Sequence, residues 1–333
     1  MKKILILDAN SSQVLSIAKY IKKYSNYYVV GQIEKDTLFN NINCDKIIVD
    51  NYDNVSLEDY DFVLPTGAKS TFKVFNKCGI IKYCNGIFFS SKNLICFDKP
   101  KMLELARDLN IPIPNTFYNK KEIDSFPIFY KENFESGGGL RGVAYSFKEI
   151  PNHDKLLFQE YINTPFTYAV GFLSRNGELL TYFQHKEIMS YPLEGGSAVI
   201  AERYNNGKLL NYTARLIKAL NYNGWGLVEF KYCNKRKDFV FMEINAKFWA
   251  SIEFMLLNDP LFLKLLLNID YNPVPTRKVL FINRLLHCNL LSIVKNWSHF
   301  KDSKIIKESS LIHSFIGPRI PKIAKDLVKK ALR

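Results

Sequence analysis

Two β-patterned runs, GWGLVEFKYC (224–233) and DFVFMEINAK (238–247), are joined by the turn-like stretch from Asn234 to Asp238 and read as an antiparallel hairpin. Residues i and i+2 of a strand share a face, so Glu243 and Asn245 point together, and an antiparallel partner can bring Glu229 to the same side. Three hard oxygen donors then converge on one point. Such a set suits Mg²⁺ bound to nucleotide phosphates, an ion that takes its remaining ligands from phosphate and water. For Glu-x-Asn alone, a half-buried hairpin with exposed acids is the plainer reading, so the flanking sequence decides.

Upstream, FPIFYKENFESGGGLRGVAYSF reads as strand, glycine-rich loop, strand, with Lys131 before Ser136-Gly137-Gly138-Gly139 and Arg141-Gly142 after it. Glycines let backbone N–H groups approach phosphate oxygens closely. No Gly-Lys-Ser/Thr opens a helix here, so the loop does not have the P-loop pattern. A strand KLLFQEYI (155–162) follows. Then comes TYAVGFLSRNGELLTYFQHKEI, in which Asn176-Gly177 signals a hairpin between alternating runs.

This order of parts resembles the ATP-grasp superfamily from about Ile4 to about Phe254, most specifically over Gly224–Ser251. Within it, FQHKEIMSYPLEGGSAVIAER, GLVEF and MEINAKFWAS are similar to short carboxylate–amine ligases related to the carbamoyl-phosphate synthase large subunit. Those enzymes are frequent in surface-polysaccharide and amino-acid conjugate biosynthesis.

The resemblance implies an ATP- and Mg²⁺-dependent ligase, with Mn²⁺ able to substitute, that joins a small-molecule carboxylate to an amine through an acyl phosphate. It assigns Lys99 and Lys131 to the nucleotide phosphates, and Ser136, Gly137, Gly138 and Gly139 to a loop over them. Gln159, Glu160, Tyr161 and Ile162 become the hinge that meets adenine. Glu229, Glu243 and Asn245 become the metal ligands. Lys247 stands where arginine is usual, and Lys186 is a further candidate for phosphate or substrate. Arg141 and Arg203 are candidates to grip the carboxylate or acyl phosphate, since arginine suits bidentate recognition; a surface loop arginine is the plainer reading of each. His185, Trp225 and Trp249 read as ordinary packing residues.

Three departures from the family pattern stand out. Glu132 follows Lys131 in place of proline, Ala246-Lys247 replaces Pro-Arg, and INTPFTYAV lacks the acid that usually meets the ribose. Lysine keeps a positive charge but not the planar two-pronged grip of guanidinium. A small-molecule kinase on the same scaffold, or a catalytically weakened nucleotide-binding or membrane-surface protein, are therefore the competing readings.

The expected fold class is α/β with α+β lobes: an ATP-grasp fold preceded by a small parallel α/β domain and followed by a basic extension. Residues 1–92, with KILILD, YYVVGQI, KIIVD and DFVLPTG separated by short helical or loop stretches, form the first domain. Residues 93–275 form the ATP-grasp domain, with a nucleotide lid at about 112–162 and a metal-binding lobe at about 163–275. Asp98 caps a helix to about Asn110, and Pro112 and Pro114 force an extended connector after it. The turn Asp8-Ala9-Asn10-Ser11-Ser12 carries no Gly-x-Gly-x-x-Gly, which argues against a dinucleotide site. No Gly-x-Ser-x-Gly elbow supports a serine hydrolase.

With 333 residues and 47% hydrophobic content, the chain can bury several modest cores. Its six cysteines show no metal-ligand spacing and suggest a reducing, cytoplasmic setting. The apolar run Ile4–Leu7 is too short for a signal-peptide core. From Arg277 onward there are 13 Lys/Arg against three acids, a net of +10 within the whole-chain +14. The ending IPKIAKDLVKKALR spaces Ile320, Ile323, Leu327 and Val328 as one helical face, so peripheral contact with an anionic membrane at its inner face is an expectation. A terminal helix docked on its own protein is the alternative. The tail lacks aromatic–basic interleaving, which disfavours nucleic acid. A homodimer is allowed.

Overall fold

The structure, a computed structural model, describes residues 1–35, 41–134, 139–192 and 195–308. Ser136, Gly137 and Gly138, and the amphipathic stretch from Ile320, lie outside the described residues.

The chain begins with β1 (Lys3–Ile6), α1 (Ser12–Tyr24), β2 (Tyr28–Ile33), β3 (Lys46–Val49), β4 (Phe62–Leu64) and α2 (Ala68–Cys78). The four strands form a parallel sheet in the order β3-β2-β1-β4. Ile4, Leu5 and Ile6 are all fully buried, as a central parallel strand covered on both faces requires. Val14, Ile17, Ala18 and Ile21 turn the apolar stripe of α1 inward. A two-stranded pair, β5 (Ile80–Lys82) and β6 (Phe88–Ser90), closes this unit. Then α3 (Lys99–Asp108) starts where Asp98 accepts a hydrogen bond from the Lys101 amide at 3.1 Å.

The next unit is a four-stranded antiparallel sheet built from β7 (Thr116–Phe117), β8 (Ile128–Glu132), β9 (Arg141–Ala144) and β10 (Leu156–Glu160). It has its own small core of Ile123, Ile128, Ala144, Ile150, Leu156 and Phe158. The proline-bearing connector enters it in extended form, and the Pro112 carbonyl accepts from the Phe241 amide at 2.7 Å.

The largest sheet has seven strands, in the order β15-β14-β11-β12-β13-β16-β17. In chain order these are β11 (Thr167–Arg175), β12 (Glu178–Tyr191), β13 (Ser197–Arg203), β14 (Gly224–Cys233), β15 (Asp238–Asn245), β16 (Lys278–Phe281) and β17 (Lys304–Ile306). Helix α4 (Gly207–Ala219) separates β13 from β14, while α5 (Ile252–Leu256) and α6 (Leu261–Leu267) follow β15. Between β16 and β17 lie α7 (Ile282–Leu285), α8 (Leu290–Lys295) and α9 (Trp297–Phe300). The β11–β12 turn has positive φ at Asn176 (52°) and Gly177 (78°), the pair of left-handed residues that a tight hairpin demands.

The boundary expected near residue 275 falls inside this sheet, because β16 pairs with β13 and β17 pairs with β16. Arg284 fastens the stretch. Its guanidinium donates to the Ala198 and Ala250 carbonyls and to Glu308, whose side chain is buried. One core cluster runs continuously from the parallel sheet into the seven-stranded one. Trp225 joins them, stacked on Phe248 at 4.5 Å and tilted against Phe89 at 4.9 Å, so its role is packing.

Candidate active site

Directly opposed residues of neighbouring strands share a face. The register Glu243–Glu229–Ala169–His185–Arg203 therefore lays one row across β15, β14, β11, β12 and β13. Glu187, two residues along from His185, and Asn245, two along from Glu243, belong to the same face. Strand alternation thus gathers three acids and one amide on a single surface.

At its centre the Asn245 amide donates through Nδ2 to Glu229 Oε1 at 3.3 Å and to Glu243 Oε1 at 3.2 Å. Lys247 Nζ donates to Asn245 Oδ1 at 2.8 Å. Burial, then the charges of Glu243 and Glu187, push the Glu229 carboxyl up to about 8, against the pull of Lys247 and Lys131. Three acids with too little compensating charge are electrostatically suited to a cation. Among the described residues no three His, Cys, Asp or Glu side chains group as metal ligands. Glu229, Glu243 and Asn245 place two carboxylates and an amide together at the centre of this face, a set that fits an ion completing its shell with phosphate and water.

The four-stranded antiparallel sheet contributes the opposing charge. Lys131, on β8 and buried, donates to the Met242 carbonyl at 3.0 Å and stands 3.6 Å from Glu243 Oε2. The pairing of β14 with β15 shifts register between Glu229 and Phe230, so Met242 is the extra residue of a bulge. Burial first, and the nearby Lys99 charge, lower the Lys131 ammonium, while Glu243 and Glu229 oppose the shift. Lys99 is itself buried at the start of α3. Its amide donates to the Asn133 carbonyl at 2.9 Å, and Asp98 bridges to Phe134, which fixes this lysine beside the entry to the glycine-rich loop.

At the far end of that loop, Glu132 accepts from the Leu140 amide at 3.0 Å, and a side chain on Gly139 would collide with the Glu132 carboxylate. Glu132 therefore holds the loop's base.

On β10, Gln159 opposes Phe129 while Leu157 opposes Lys131, so Gln159 shares the Lys131 face of the four-stranded sheet. Gln159 is fully buried; its Nε2 reaches Thr116 Oγ1 at 3.2 Å, and its Oε1 has no partner among the described residues. Glu160 accepts from the Asn115 amide at 3.1 Å and pairs with Arg236 at 2.6 Å. Tyr161 is half-buried, and Ile162 packs with Cys233, Val240 and Met242.

The remaining candidates are dispersed. Arg203 lies in the Glu229 row but is exposed, and its amide donates to the Arg277 carbonyl at 2.8 Å. Arg141 opposes Lys131 and its side chain lies against Gly195 in the β12–β13 turn. Lys186 opposes Tyr168 and Glu202, which turns it to the other face of the sheet from Glu229. There it stands 3.8 Å from Glu202 and over the Phe166 ring, apart from the acidic cluster. Glu187 is the residue missed from sequence; its only signal is the i+2 spacing from His185 on a strand whose register was unknown. His185 itself is buried and pairs with Ser251 at 3.1 Å.

No family model matches the chain, and no curated protein sequence matches it. Solved structures do match its fold. An N5-carboxyaminoimidazole synthetase from Staphylococcus aureus complexed with ADP aligns with a TM-score of 0.62 at 12% identity, covering 82% of this chain and 79% of that one. An L-amino acid ligase from Bacillus licheniformis aligns with a TM-score of 0.54 at 13% identity, covering 77% and 69%. A pyruvate carboxylase from Rhizobium etli aligns with a TM-score of 0.59 at 16% identity over 77% of this chain, which spans only 27% of that enzyme. The chain has the ATP-grasp fold, with the small parallel α/β domain in front of it.

Proposed function

We propose that this protein is an ATP- and Mg²⁺-dependent ligase that joins a small-molecule carboxylate to an amine. One observation carries the reading: Lys131 of the lid meets Glu243 directly beside Glu229, Asn245 and Lys247, so that acids and ammonium groups meet where the two sheets face each other. The ATP-grasp neighbours, one with ADP bound and one an L-amino acid ligase, support the same chemistry.

In this reading Lys131 and Lys99 hold the triphosphate, and desolvation strengthens their attraction for it. Gln159 accepts from the exocyclic amino group of adenine through its unpartnered oxygen, with Glu160, Tyr161 and Ile162 forming the rest of the base-binding edge. Glu229, Glu243 and Asn245 hold Mg²⁺, or Mn²⁺ in its place, which when bound neutralises phosphate charge. The Asn245 amide presents Nδ2 to the two acids, and a half-turn presents Oδ1 instead. Lys247 supplies a point charge at the reacting end, and Arg203 and Arg141 grip the acceptor carboxylate. The glycine-rich loop, including Ser136 to Gly139, covers the phosphates.

The substrate carboxylate displaces ADP from the γ-phosphorus to form an acyl phosphate. The amine nitrogen then displaces inorganic phosphate from the acyl carbon and gives up a proton. Sugar acids of surface polysaccharides and amino acids are the first carboxylates to test. ADP release against pooled carboxylic acids, with hydroxylamine as a trap for the acyl phosphate, tests the reading. A hydroxamate formed by the native protein and absent in Glu243→Gln supports it. A stable phosphorylated alcohol without amide or hydroxamate overturns the ligase in favour of a kinase.

A further inference from the structure

The segment between β16 and β17 carries a feature that the ligase chemistry does not use. In α8 and α9, Leu290, Leu291, Val294 and Trp297 are 73%, 82%, 63% and 69% exposed. At about 100° per residue these four positions fall on one side of the helical path, and no residue of α8 or α9 is buried. A contiguous aliphatic stripe with a tryptophan is unusual on a surface open to water. Ile305, on the edge strand β17, is exposed as well.

The surroundings of this stripe are basic. Lys295, Lys301, Lys304 and Lys307, within or just after the same segment, are all exposed, and from Arg277 to Glu308 there are seven Lys/Arg against two acids. One of those acids, Glu308, is already paired with Arg284.

The geometry points to a docking face for an anionic phospholipid bilayer, with Leu290, Leu291, Val294 and Trp297 entering the headgroup–acyl boundary and the four lysines meeting the lipid phosphates. Each part suits that occupant. Tryptophan and long aliphatic side chains favour the interface, and lysines around them add attraction to negative headgroups. A second copy of the chain would bring two faces of the same positive sign together. No helix among the described residues is long and apolar enough to cross a membrane, so the contact is with one leaflet. Arg284, buried against the sheet, anchors the segment, which makes the face a fixed part of the main domain. This inference is independent of the ligase reading.

Tryptophan fluorescence of the full-length protein tests it, because Trp225 and Trp249 are buried and Trp297 is exposed. The probes are vesicles of phosphatidylcholine with and without phosphatidylglycerol, each set also prepared with brominated acyl chains, combined with flotation. The expected result is a blue shift and bromine quenching of Trp297 on anionic vesicles, weakened by salt. The double variant Leu291→Ser/Trp297→Ser should float at least about tenfold less, with an unchanged melting temperature because both side chains are exposed. Val294→Glu provides a second, independent reduction. Unchanged flotation of these variants would assign lipid binding to the basic residues beyond 308 and overturn the proposal. So would the absence of quenching, or a concentration-dependent dimer lost in the variants without any vesicle binding.

Discussion

Lys131 and Glu243 come from different sheets and stand 3.6 Å apart, with the lysine also donating to the Met242 carbonyl that the β15 bulge leaves beside it. Removing the lysine takes away a buried ammonium that opposes the mutual repulsion of Glu229 and Glu243. Lys131→Met is therefore expected to lower kcat/KM for ATP by about 10²–10³, the range typical of a desolvated charge aimed at developing negative charge. Steady-state kinetics against ATP at fixed acceptor measure it, and a loss under about threefold would remove Lys131 from the phosphate site.

Glu229 sets a pH dependence of stability. Its carboxyl is pushed up to about 8 from an ordinary value of 4.5, so between those values the folded protein holds more protons than the unfolded chain. Stability of the metal-free protein is thus fully present below the lower value and is lost as pH rises toward 8, by at most about 1.4 kcal/mol per pH unit. Melting temperatures from pH 5 to 8 should fall for the native protein and flatten for Glu229→Gln. Mg²⁺ affinity should rise across the same window, since ligation displaces the proton.

Gln159 offers a case in which stability and binding respond differently. Among the described residues its buried Oε1 has no partner, and its Nε2 makes one hydrogen bond, to Thr116. Gln159→Met should change stability by less than about 1 kcal/mol, because it removes one bonded and one unbonded polar group together. ATP affinity should fall by about tenfold with GTP affinity unchanged, as competition binding would measure. Equal loss for both nucleotides would exclude base recognition.

Arg284 tests whether the stretch after residue 275 unfolds together with the seven-stranded sheet it joins. Arg284→Ala leaves the buried Glu308 carboxylate and two carbonyls without their donor. Loss of a buried pair's cation costs about 3–5 kcal/mol. Urea denaturation should show that loss in one cooperative transition, whereas a separate early transition would mark the segment as an independent unit.

Much of this arrangement is legible before any coordinates. The first four strands are short apolar runs with turn residues between them, and each becomes a strand of the parallel sheet. The β14–β15 hairpin is visible because alternation and a polar turn coincide at Glu229 and Glu243. Lys186 and Glu187 mark the limit. They are adjacent in the chain and fall on opposite faces, and which one faces the site depends on how β12 registers against β11. Strands β16 and β17 are hidden for a different reason. They are short, follow the proline-rich NPVPT, and sit among lysines, so charge outweighs a β signal that is completed only when β16 pairs with β13 and β17 with β16.

The central claim is that Glu229, Glu243 and Asn245 serve a nucleotide through a divalent cation. Calorimetric titration of ATP with and without Mg²⁺ into the native protein and into Glu243→Gln tests it most directly. Affinity should rise at least about tenfold with Mg²⁺ for the native protein, and the variant should lose that gain while still binding metal-free ATP. Equal affinity with and without Mg²⁺ in the native protein, or an undiminished gain in the variant, would contradict it.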